Sequence, residues 1–492
     1  MIKALTGSQL ALFFGLFLTA GCTTDFEGID EIDREPVIEP DYSGVTIPPN
    51  IAPMNFIIRE DGKSFSLSVK SSNGYVKKVR TSKGVVRFPL HKWKKMLKDT
   101  GRGEISIEIT AVVNATEIRH YRPIKIFIAN DPVDPWLCYR LLYPGYEAYK
   151  QLEIIQRCTE NFREKPLVDN RLLKTNCINC HSFSGNNPDR LMVHVRGSLG
   201  GTYFTEGKRI VRRDLKADEM EYGAVYPAWH PGGTIVAFSS NSIVQSFHAS
   251  QVYNIEVTDL ASSLVVYDAE NNEMSPVTET DSVPYLETFP EWSPDGRFLY
   301  YCRARQTADS YASDETKYDL VRKPFDMSSF SFGKAEVVFD ACAIGKSVSF
   351  PRVSPDGKYL VFTLHNSGNF SIWHKEADLY LLDIQTGKAE RMSVNSEFTE
   401  SYHSWSSNGK WLVFSSKRDD GLTARPYIAW FASADSVGKP FALPQKDPAL
   451  YGHLIKTFNR PEFVKGRIRF GPRDFERASG RKALKAGWRG RK

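Results

Sequence analysis

Near the middle of the chain, Cys177, Cys180 and His181 stand in the run Asn176-Cys177-Ile178-Asn179-Cys180-His181. Two thiols three positions apart can add to the two vinyl groups of one haem, with the adjacent imidazole ligating the iron. With 7 Cys and 10 His in 492 residues, composition alone supplies roughly 0.002 such matches. Chance is therefore a poor explanation. A CxxC also serves redox dithiols and zinc sites. Zinc would need further ligands, and the chain has no second CxxC and no HxxxH, which leaves His194 as a contributor. A redox dithiol calls for a βαβ setting. The spacing thus predicts one covalent haem c on Cys177 and Cys180, with His181 as the proximal ligand. His194 is the first candidate for the distal position; Met192, Met220, His230 and His248 are further choices.

Such a haem is attached outside the cytoplasm, so the N-terminus matters. Residues 1–21 read as a signal peptide: Lys3 is the positive region, and Leu10 to Leu18 is an apolar stretch too short to span a bilayer. Leu18-Thr19-Ala20-Gly21-Cys22 resembles a lipobox, which implies lipidation of Cys22 and a membrane anchor on the periplasmic face or the cell surface. Residues 22–50 are acidic and carry Glu35-Pro36, Glu39-Pro40 and Pro48-Pro49, the composition of an extended tether. Four cysteines remain, and the local pairings Cys138–Cys158 and Cys302–Cys342 stand beside free thiols as alternatives.

Alternation over Met54–Arg59, Ser64–Lys70, Val76–Arg80, Glu104–Val113 and Pro123–Ala129 predicts strands, with a helix over Leu90–Lys98. Residues 51–130 are expected to form a small immunoglobulin-like β-sandwich. Asp131-Pro132-Val133-Asp134-Pro135 marks a boundary. Beyond it, Tyr146, Tyr149, Leu152, Ile155 and Cys158 recur at threefold spacing, which predicts an amphipathic helix leading to the haem segment within residues 131–221.

Residues 222–464 set the architecture. Tyr226-Pro-Ala-Trp-His-Pro-Gly-Gly233, Phe289-Pro-Glu-Trp-Ser-Pro-Asp-Gly296, Phe350-Pro-Arg-Val-Ser-Pro-Asp-Gly357 and Tyr402-His-Ser-Trp-Ser-Ser-Asn-Gly409 align without gaps. Each ends in a tight turn whose Gly takes positive φ, and each precedes an apolar run that must be buried on both faces. Their glycines lie 63, 61 and 52 residues apart, blade-sized intervals with insertions. The repeats resemble those of the TolB-like, WD40-like β-propellers. The resemblance implies an all-β chain with six blades and protein–protein contacts. Four blades are explicit; Leu191–Val211 can supply a fifth, and Pro135–Leu142 pairing with Tyr427–Phe431 and later strands can close a sixth.

The net charge of +6 resides in residues 465–492, whose 11 Lys and Arg face Asp474 and Glu476. This reads as a solvated basic tail, and no nucleic-acid motif accompanies it. His230, His365, His374 and His403 could converge at the propeller mouth, but no Gly-x-Ser-x-Gly elbow accompanies them. The reading is an anchored monohaem propeller that transfers electrons or senses redox state with a membrane or periplasmic partner. The alternative is a non-enzymatic, protein-binding propeller in which the CxxC is a disulfide or a metal site.

Overall fold

The computed structural model describes residues 29–144, 151–247, 255–277, 284–306 and 315–490. The signal segment and Cys22 lie outside them. Six radial sheets surround one axis. The chain is a β-propeller. Blade 1 consists of Trp136–Leu142, Leu152–Cys158 and Glu164–Asp169, completed on the inside by the late strand Thr457–Val464. Blade 2 runs Cys177–Phe183, Leu191–Arg196, Gly201–Glu206 and Arg209–Asp214; blade 3 starts at Ala224–Trp229, blade 4 at Tyr285–Trp292, blade 5 at Ser347–Val353 and blade 6 at Glu400–Trp405. Closing the ring with strands from both ends of the domain leaves no open gap between the first and last blades.

The repeat sequence explains the blade. In blade 4, Asp295 accepts from the Ser293 hydroxyl and the Arg297 N–H, while Gly296 takes φ +73°. Ser354, Asp356 and Gly357 repeat the turn in blade 5, and Ser406, Asn408 and Gly409 in blade 6. The apolar runs that follow are buried on both faces: Leu299, Tyr301 and Cys302 are each 0% exposed. Neighbouring blades cover both sides, so these strands need no polar alternation.

Five inner strands also share a bulge. The register shifts by one residue at Tyr226, Phe289, Phe350, Tyr402 and Arg460, each with φ between 49° and 53°. Positive φ is costly for bulky residues and persists only where packing imposes it. Here the return is a collar across the axis: ring centroids are 4.6 Å apart for Tyr226–Phe289, 4.2 Å for Phe289–Phe350 and 4.8 Å for Phe350–Tyr402.

Several expectations are corrected. The closing partner of Trp136–Leu142 is Thr457–Val464, whereas Arg425–Ser433 is the third strand of blade 6. Tyr146 and Tyr149 lie outside the described residues, and Leu152–Cys158 is a strand where a helix was expected. Its run Ile154-Ile155-Gln156 is buried continuously because the strand is covered on both faces, and adjacent β-branched residues favour that setting. Much of the supposed tether is folded: Ile29–Ile32 pairs with Ile118–Tyr121, Thr46–Ile47 pairs with Ile124–Ile128, and Tyr42, Val45 and Ile47 are 0% exposed. Both pairings are parallel, so the N-terminal module is a mixed seven-stranded sheet facing a three-stranded one, with the helix Leu90–Thr100 beside them.

The basic tail is folded too. Helix Pro472–Ser479 is followed by Leu484–Lys485 on the outer edge of blade 2 and Gly487–Trp488 on that of blade 3. Arg489 meets Glu273 and Asp268, so the positive charge secures blade edges.

Candidate functional site: the axial chamber and the CxxCH strand

The CxxCH run is the innermost strand of blade 2, Cys177–Phe183. It replaces the short helical haem segment expected from the sequence. Its register against Leu191–Arg196 slips between Ile178 and Cys180, as the other inner strands slip at their bulges. Aligned on that slip, Asn179 stands at the register position of Tyr226, Phe289, Phe350, Tyr402 and Arg460. Cys180 takes the slot of Pro227, Pro290, Pro351, His403 and Pro461, and His181 takes that of Ala228, Glu291, Arg352, Ser404 and Glu462. The motif is therefore a variant of the propeller repeat.

The pairing assigns faces. Cys177 is opposite Arg196 and Cys180 opposite His194, while His181 is opposite Val193. Adjacent strand residues point to opposite faces, so Cys180 and His181 lie on different sides of the blade. His181 is 2% exposed and packs towards blade 1, where its ring engages the Cys138 backbone. Burial, assisted by Arg460 and Arg140, lowers its pKa to about 3. The imidazole is thus neutral, and its Nε2 is buried without a hydrogen-bond partner.

This conformation passes one part of the test for haem and fails another. A neutral imidazole with an unpaired Nε2 and its other nitrogen held by backbone is the species an iron ligand requires. Cys180 and His181, however, are adjacent strand residues on opposite faces, Cys177 packs against the core between blades 1 and 2, and the strand is held between blades 1 and 3. In this conformation the three groups do not fit a single haem. His194 is paired on the thiol side, with Nδ1 3.2 Å from the Thr202 hydroxyl, and Met192 and Met220 are buried between blades 2 and 3. His248 lies outside the described residues. No cluster of three or more His, Cys, Asp or Glu that could hold a metal ion occurs among the described residues.

The remaining thiols are free. Cys138 pairs across the ladder with Gln156, and Cys158 with Trp136. Cys302 is buried, whereas Cys342 is exposed at its surface turn. Of the two alternatives left open by the sequence, the structure has the free thiols.

Beyond the collar, the inner strands enclose a chamber of about 170 Å³, room for on the order of ten waters. Its walls include Trp229, Trp405 and Phe350; its charged groups are Glu291, Arg352, Arg460 and Glu462. Arg352 donates to Glu291 Oε2 at 2.6 Å, and the Phe183 N–H donates to Glu462 at 3.2 Å. Burial raises the Glu462 carboxyl to about 7, against the opposing pull of Arg352. Arg460 forms no ion pair among the described residues; its guanidinium donates to Cys180 Sγ at 3.5 Å. The Trp229 indole N–H is buried without an acceptor. Sequence reading passed over these groups, although Asn459-Arg460-Pro461-Glu462-Phe463 preserves the proline and the following wall position of the repeat.

The four repeat histidines do not converge as a set. His230 engages the Gly296 carbonyl, and His403 donates Nε2–H to the Val361 carbonyl at 2.9 Å beside the chamber. His365 and His374 meet at the opposite mouth, 4.9 Å apart. There His374 lies 3.1 Å from Glu256 and 3.4 Å from Glu376. Glu256 belongs to the long hairpin Ile235–Phe247 and Ile255–Asp268 of blade 3. Asp259 on the same hairpin accepts from Tyr318 at 3.0 Å and Asn369 at 2.6 Å. Among the described residues, these paired groups latch the blade 3 hairpin to blades 4 and 5.

No family model matches the chain, and no curated protein matches it. Among solved structures it is similar to TolB from Acinetobacter baumannii, at 11% identity and TM-score 0.41 over 76% of this chain and 85% of that one. A hypothetical selenium-binding protein from Sulfolobus tokodaii matches at 10% identity and TM-score 0.40, over 69% and 96%. Oligogalacturonate lyase from Vibrio parahaemolyticus matches at 11% and 0.33, over 77% and 100%. The propeller rests on the six sheets themselves. No described helix is long and apolar enough to cross a membrane.

Proposed function

We propose that this chain is a binding propeller, held outside the cytoplasm by a lipidated Cys22, whose axial chamber receives a polar group of a partner. The observation that carries the reading is the chamber itself. Trp229, Trp405 and the collar residues Phe350 and Tyr402 wall it, and Arg460 forms no ion pair among the described residues. Pockets of this kind combine apolar walls with a few converging polar groups. A screen of small acids, amines and short peptides, read by tryptophan fluorescence and thermal shift, tests it. Binders should weaken in Arg352→Gln and in Trp405→Phe. A chamber that takes none of the probes contradicts the proposal.

One observation favours a second reading, a single haem c on Cys177, Cys180 and His181 serving electron transfer or redox sensing. It is the neutral, unpaired Nε2 of His181. This reading requires the Cys177–Phe183 strand to leave the blade so that thiols and imidazole share one side. Intact mass separates the cases: a covalent haem adds a whole cofactor, a Cys177–Cys180 disulfide removes two hydrogens, and free thiols change nothing.

A further inference from the structure

We infer that the group received by the chamber is a carboxylate, bound by Arg460. The inference rests on the binding reading above and names its ligand class. Arg460 occupies the place of a collar aromatic in blade 1, which brings its guanidinium to the chamber. A guanidinium beside a partly desolvated cavity is costly unless an anion answers it. Arg352 is ion-paired with Glu291, whereas Arg460 hydrogen-bonds a thiol and attracts Glu291 and Glu462 without an ion pair to either among the described residues. Its planar fork matches a carboxylate in two parallel hydrogen bonds.

The flanking groups select among anions. Glu291 and Glu462 oppose a doubly charged phosphate more strongly than a singly charged carboxylate. Among the groups facing Arg460, burial keeps His181 and His403 neutral, each at about 3, while Arg352 stays charged. Burial also raises Glu291, against the pull of its ion pair with Arg352, and Glu462 is raised to about 7, near neutrality. Below that pH it is protonated and the chamber carries net positive charge; above it the new carboxylate competes for the arginines. Affinity for a carboxylate should fall as pH rises through about 7.

The test is calorimetric titration of the full chain with acetate, the tripeptide Ala-Ala-Phe as free acid, the same peptide as C-terminal amide, and inorganic phosphate, at pH 6 and pH 8. The free acids should bind, more tightly at pH 6, and Arg460→Gln should weaken them about tenfold or more. Arg460→Lys should recover part of the loss by retaining charge without the fork. Glu462→Gln should abolish the pH dependence. A tripeptide acid well ahead of acetate supports the inference with a polypeptide C-terminus as the source; equal affinities support it with a small acid. Acid and amide binding alike, indifference to Arg460→Gln, or phosphate binding as tightly as acetate each overturns the carboxylate inference but leaves the binding reading standing. If none of the four probes binds, the carboxylate inference falls, and the wider screen with amines and other peptides decides the binding reading. Melting midpoints of the variants within a few degrees of the parent secure the comparison.

Discussion

Two buried groups carry the residue-scale consequences. Glu462 keeps its proton to about pH 7 in the folded chain, well above the ordinary glutamate range. Between those pKa values the folded state binds more protons than the unfolded one. Stability contributed by the neutral carboxyl is complete below the unfolded pKa and is lost as pH rises through the folded one. Glu462→Gln should flatten that part of the fall in melting midpoint between pH 5 and pH 8; an unchanged slope contradicts the assignment. At the opposite mouth, burial alone would lower the pKa of His374, but hydrogen bonds to Glu256 and Glu376 outweigh it and raise the value. A raised histidine stabilises below its unfolded pKa, and the contribution disappears as pH rises through the folded one. In His374→Asn, amide protection along Ile255–Asp268, after correction for the intrinsic base-catalysed rate, should lose its decline from pH 6 to pH 8.5. A retained decline would place the latch elsewhere.

At the scale of elements, the blades were legible because their turns and aromatic positions recur in the sequence. The final inner strand was not. Its segment Thr457–Val464 lies about 300 residues from its partner Trp136–Leu142, and its collar residue is arginine. The CxxCH run misled for a related reason. A motif defined by spacing carries no information on secondary structure, and Cys180 occupies a slot where most other blades have proline. The chamber residues Glu291, Arg352 and Glu462 were in plain view as the variable position after that slot, which only the ring brings together. The tail shows charge acting through edge pairing: deleting residues 484–492 should speed amide exchange in Glu273–Pro276 and Arg209–Asp214, and unchanged protection would deny the strap its role.

For the whole molecule, one core joins the N-terminal module to the propeller. Trp411 of blade 6 is 0% exposed, packs with the module's buried residues and donates its indole N–H to the Asp131 carbonyl at 3.1 Å. Trp411→Ala should cost about 3–5 kcal/mol by chemical denaturation, with module and propeller losing stability together. A loss confined to one of them would mean that they fold as separate units. The central claim, that the CxxCH run is a blade strand in a binding propeller, is tested most directly by a reduced-minus-oxidised spectrum. The full chain would be produced alongside the haem c maturation system. The account predicts no covalent haem band. A band lost on replacing Cys177 and Cys180 would contradict it.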